Sequence, residues 1–145
     1  MTAKEYLEQV QAAEHAVRTK MRRFERVRNL SMQLSSACPG PVPGGSGNDH
    51  ALETAITALM DAENELNAEI RRLNEALRAV REAIAAVPVA AERDVLEKRY
   101  LCFLPWDDIA EDLRCTRRTV MNKHRSALTR VDRWLALRGE EKTQA

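Results

Sequence analysis

The sequence predicts an all-α protein: a long antiparallel helical hairpin of coiled-coil type, followed by a C-terminal helix-turn-helix domain. Aromatics make up 4% of the 145 residues and glycines number five, so the 44% hydrophobic share is mostly Ala, Leu and Val, which favours helices over sheets. Apolar residues recur at three- and four-residue steps over two long stretches, separated by the Pro- and Gly-rich run CPGPVPGGSGNDH. A short acidic helix, a brief break and a basic helix then follow in WDDIAEDLRCTRRTVMNKHRSAL, residues 106–128.

The first helix occupies residues 3–36, which hold no Gly or Pro. Leu7, Val10, Val17, Met21 and Phe24 share one face; beyond Phe24 the stripe moves to Val27, Leu30 and Leu34, which predicts a stutter. Residues 37–48 form a flexible connector, since Pro removes backbone donors and Gly adds backbone entropy. The second helix, from about Asp49 to Val87, is the most regular stretch. Leu52, Leu59, Leu66, Leu73, Val80 and Val87 stand seven apart, with Ile56, Ile70, Leu77 and Ile84 as a companion row that Glu63 interrupts. Such a repeat predicts a coiled-coil seam, on a helix of about 55 Å at ~1.5 Å per residue. Folding back about the connector sets Glu63 near Arg22 or Arg23 and Glu14 near Arg71 or Arg72. A parallel dimer would instead place Glu63 against its own copy.

Pro88 ends the second helix and divides a hairpin domain, residues 1–87, from a helix-turn-helix domain, residues 88–137. A helix through Val95, Leu96, Tyr100 and Leu101 runs toward Pro105, and the polar tail 138–145 is expected to be disordered. Trp106, Asp107 and Asp108 open the next helix, with carboxylates where the helix dipole favours them. Ile109 and Leu113 form its apolar face and Ala110 allows a close crossing. Arg114 and Cys115 turn the chain, and Thr116 caps a helix carrying Val120, Ala127, Leu128, Val131 and Leu135 along one side.

The net charge of +1 says nothing about a polyanionic partner, but its distribution does. Arg114 to Arg133 holds seven basic residues against the single acid Asp132, and Arg18 to Arg28 holds six against Glu25. The first block lies on the helix-turn-helix and the second is expected to serve hairpin solubility and ion pairing. Arg117, Arg118, Met121, Asn122 and Arg125 do not pack inward and would face a major groove, where Arg pairs with guanine and Asn with adenine. Arg114, Thr116 and Lys123 suit phosphates.

Three cysteines without paired spacings, and His15, His50 and His124 far apart, point to no metal or cofactor site. No catalytic constellation appears, so an enzyme is not expected. With no apolar run near the ~20 residues a bilayer demands, no membrane partner is expected, and free thiols fit the cytoplasm.

The run ERDVLEKRYLCFLPWDDIAEDLRCTRRTVMNKHRSAL resembles region 4 of sigma-70-type factors and the phage regulators that share that module. The shared pattern is carried by Arg99, Tyr100 and Leu101, by Trp106 to Ala110, by Thr116 to Val120, and by Ala127 and Leu128, about a third of the chain. The N-terminal AKEYLEQV and its basic helix resemble small phage late-transcription activators. The resemblance implies a phage or prophage transcription regulator that reads double-stranded DNA with the helix starting at Thr116, with RNA polymerase, or a second copy through the hairpin, as a further partner. Two alternatives remain open: a DNA-packaging assembly protein of small-terminase type, or an interaction adaptor without DNA binding. The family has Gly where this chain has Arg114 and an aliphatic residue at Cys115, which predicts a less regular turn.

Overall fold

The computed structural model describes residues 1–36 and 46–144, and among these every regular element is a helix. The five are α1 (Ala3–Ser36), α2 (Ser46–Ala85), α3 (Ala90–Tyr100), α4 (Trp106–Asp112) and α5 (Arg117–Gln144). Most of the expected connector, residues 37–45, lies outside the described residues, and α2 already begins at Ser46. The expected disordered tail is a correction. Residues 138–144 continue α5 to Gln144, because nothing after Leu137 except the single Gly139 opposes a helix.

Contacts divide the chain into two compact units, to each of which α1 and α2 contribute. One unit is Ala13–Leu73. Within it Val17, Ser31, Ala62 and Leu66 are buried, and Lys20 and Arg23 both reach Glu65, at 3.3 and 2.9 Å. The expected partners Glu63 and Glu14 are thus corrected. Glu63 is exposed, while Glu14 pairs along its own helix with Arg18 and Arg72 with Glu69.

The inward rows also differ from the apolar stripes. In α1 the row Ala3, Val10, Val17, Phe24 and Ser31 stays buried or half-buried without a slip, while Met21, Leu30 and Leu34 are exposed. The predicted stutter came from following large apolar side chains past a buried serine. In α2 the leucine row is inward as expected, and of its companion row Ile84 is buried and Ile70 and Leu77 half-buried, but Ile56 stands 47% exposed and Ala55, Ala62, Ala76 and Ala83 share the inward face. Steps of three and four both keep a helical face, so periodicity admits Ala55 and Ile56 alike; small side chains allow the closer approach of a neighbouring helix.

The other unit joins Met1–Ala12 to Asn74–Ala145. It therefore does not begin at Pro88: the first turns of α1 and the last turns of α2 pack with α3, α4 and α5. Thr2 and Glu5 form a capping box, Thr2 Oγ1 accepting from Glu5 N–H at 3.2 Å and the Glu5 carboxylate from Thr2 N–H at 3.0 Å. Asp132 on α5 takes the next free donor, Ala3 N–H, at 2.7 Å. Tyr6 meets Trp134 edge to face, and Arg138 lies over the Trp134 ring at 4.7 Å and 3.5 Å from Glu82. The junction after α2 is held by Arg93, which donates to the Val87 carbonyl at 2.7 Å.

The α4–α5 turn is closed by its backbone. Arg114 takes the left-handed conformation, φ 52°, its N–H reaching the Glu111 carbonyl at 3.2 Å while Cys115 N–H reaches that of Ala110 at 3.0 Å. Those two bonds make a Schellman ending, so the turn keeps its geometry without the glycine. The cost falls on Arg114. Arg114→Gly is expected to raise stability by up to about 1 kcal/mol in urea denaturation, because the left-handed region penalises a Cβ; a loss of that size would contradict the assignment of strain.

Candidate nucleic-acid interface

The candidate surface is built on a small core. Val95 of α3, Ile109 and Ala110 of α4 and Val120 of α5 are buried together, with Leu104, Trp106, Leu113 and Cys115 packed against them. Burying Val120, Ala127 and Val131 fixes which way α5 is turned about its axis. Thr116 Oγ1 accepts from Thr119 N–H at 3.2 Å, capping the first turn as its residue type predicts.

With α5 held in this way, Arg118, Asn122, Arg125 and Thr129, spaced four, three and four, form one exposed stripe opposite the buried residues. Among the described residues the side chains of Arg118, Asn122 and Arg125 make no hydrogen bond or ion pair. Arg114 and Thr116 are exposed at the turn and Lys123 is half-buried beside the stripe. Arg117 is exposed but lies 3.6 Å from Asp107, an ion pair that solvent screens.

Met121 is placed differently from the other candidate base readers. It is half-buried and lines a cleft of about 280 Å³ with Lys4, Glu8, Arg99, Tyr100 and Trp106. At that cleft the Tyr100 hydroxyl and His124 Nε2 are 2.7 Å apart, Trp106 meets the imidazole edge to face at 4.6 Å, and Arg99 covers Trp106 at 4.4 Å. Burial first, then the charges of Arg99 and Lys4, pushes the His124 pKa from 6.5 down to about 4. Burial first, then Glu8, pushes Tyr100 up to about 12, with Arg99 opposing. A neutral imidazole beside a protonated phenol makes Tyr100 the donor and His124 the acceptor.

Because the unfolded chain takes up a proton at His124 before the folded one does, this group's contribution is complete above about pH 6.5 and is lost as pH falls through about 4. The difference in Tm between wild type and His124→Gln is therefore expected to shrink over that window. A difference independent of pH would remove the histidine from the acid response.

The basic block from Arg114 to Arg133 divides by task. Arg130 Nε lies 2.9 Å from the buried Glu92 Oε2, close enough to pair but not aligned for a hydrogen bond. Asp132, the one acid in the block, caps α1. Among the described residues Arg114, Arg118, Lys123, Arg125 and Arg133 have no carboxylate partner. Sequence reasoning missed the structural tasks of Arg130 and Asp132, because their partners lie 38 and 129 residues away.

Also among the described residues, no group of three or more His, Cys, Asp or Glu side chains is placed to hold a metal ion, and no helix is long and apolar enough to cross a membrane. Compared with protein-family models, curated proteins and solved structures, the chain matches none.

Proposed function

We propose that this protein is a sequence-specific, double-stranded-DNA-binding transcription regulator of phage or prophage type. In this reading α3, α4 and α5 are a helix-turn-helix domain of sigma-region-4 type, and α1 and α2 an antiparallel hairpin serving self-association or polymerase contact. The observation that carries it is the stripe of Arg118, Asn122 and Arg125, exposed and unpaired among the described residues opposite a buried core. Such a helix start, presented by a short preceding helix and a tight turn, suits a major groove. Arg118, Asn122 and Arg125 offer base-edge donors and acceptors, Arg117 lies beside them, and Arg114, Thr116 and Lys123 stand where phosphates pass. Met121 is partly engaged in the cleft and contributes at the margin.

The test is selection from a random duplex library, followed by titration of the enriched duplex at rising salt. Enrichment of a defined site and a linear fall of log K with log salt are expected, the slope growing by about 0.9 per phosphate neutralised. Failure to enrich any site, or affinity indifferent to salt, sinks the proposal.

A further inference from the structure

The unit Ala13–Leu73 exposes apolar side chains that its internal packing does not use. Met21 is 43%, Ile56 47% and Met60 59% exposed. Met21 and Arg28 of α1 each follow an inward residue, Lys20 and Val27, by one position; Ile56, Met60 and Glu63 of α2 likewise follow Ala55, Leu59 and Ala62. One residue is a rotation of about 100°. In two antiparallel helices an offset in the same sense turns both rows to the same side of the pair.

Without an ion pair among the described residues, the α1 row carries Arg28 and also Glu25, which follows Phe24, whereas the α2 row carries the acids Glu53 and Glu63. The contrast extends through the unit. Residues 13–36 hold six basic and two acidic side chains, whereas residues 46–73 hold six acidic and two basic. A surface with a basic and an acidic half is complementary to its own copy under a two-fold rotation along the hairpin, which sets α1 of each chain on α2 of the other.

We infer that this flank is a homodimer interface, with Met21, Ile56 and Met60 buried between two copies and the Arg28 row of one chain facing the Glu63 row of the other. The inference rests on the hairpin in the proposed function and commits it to a second copy of this chain as occupant.

Sedimentation equilibrium of the full chain tests it, with helicity by circular dichroism as the control for folding. Wild type is expected to be a dimer. Ile56→Glu with Met60→Glu, Arg28→Glu alone and Glu63→Arg alone should each raise the dimer dissociation constant by about tenfold or more. An equimolar mixture of Arg28→Glu and Glu63→Arg chains should recover association, because each then meets an opposite charge. A wild-type monomer, an assembly heavier than two chains, or a dimer unmoved by these variants while helicity is retained overturns the inference. DNA titration of the same samples separates the two readings: a monomer that still binds the selected duplex overturns the interface alone, and a dimer that binds no duplex overturns the DNA reading alone.

Discussion

Arg118→Ala or Asn122→Ala is expected to weaken binding to the selected duplex by roughly five- to 150-fold, the equivalent of about 1–3 kcal/mol for a lost bidentate base contact. Binding to random duplex should change far less for Asn122→Ala, which removes no charge, and by about one counterion's share for Arg118→Ala. The contrast follows from position. Arg118 and Asn122 share the stripe opposite the buried core, four residues apart, so that both can address neighbouring base pairs. Lys123→Ala should lower specific and random binding together. Fluorescence anisotropy on both duplexes checks the set, and equal losses on both for Asn122→Ala would contradict base reading.

The largest effect on stability is expected at Ile109. It is fully buried with Val95, Ala110 and Val120 at the place where α3, α4 and α5 meet. Ile109→Ala removes three carbons from a site that backbone bonds hold open on both sides: Ile109 N–H to the Pro105 carbonyl at 3.1 Å, and Leu113 N–H to the Ile109 carbonyl at 3.0 Å. Little collapse can fill the cavity, so a loss of about 2–5 kcal/mol is expected, a large share of the ~5–15 kcal/mol that holds an ordinary domain together. Urea unfolding measures it. A loss below about 1 kcal/mol would show that this cluster is not the mechanical base of α5.

The local features of the candidate interface were legible because they depend on neighbours in sequence. Thr116 caps the helix whose first turn it precedes, Ile109 and Val120 are apolar at the spacings a buried face requires, and Arg114 stands where the chain must reverse. The turn's regularity was not legible. The missing glycine suggested distortion, yet two backbone hydrogen bonds hold Arg114 in the left-handed region. The hairpin rows were half legible: the heptad of leucines marked one row, but the hydrophobicity of Ile56 pointed away from the alanines beside it. Thr2 and Glu5 form a capping box whose T-x-x-E spacing stands in the first five residues.

By itself the sequence determined the helices, their order and the residue types on the start of α5, since helix propensity, capping and apolar period act over a few residues. Only the tertiary structure decided which arginines remain available. Arg130 goes to Glu92, Arg138 to Trp134 and Glu82, and Asp132 to the start of α1, while Arg118 and Arg125 keep open faces. The physical reason is that a charged side chain's partner is chosen by proximity in space, and the packing that brings residues 3, 82, 92 and 132 into reach of their partners leaves no periodic trace along the chain.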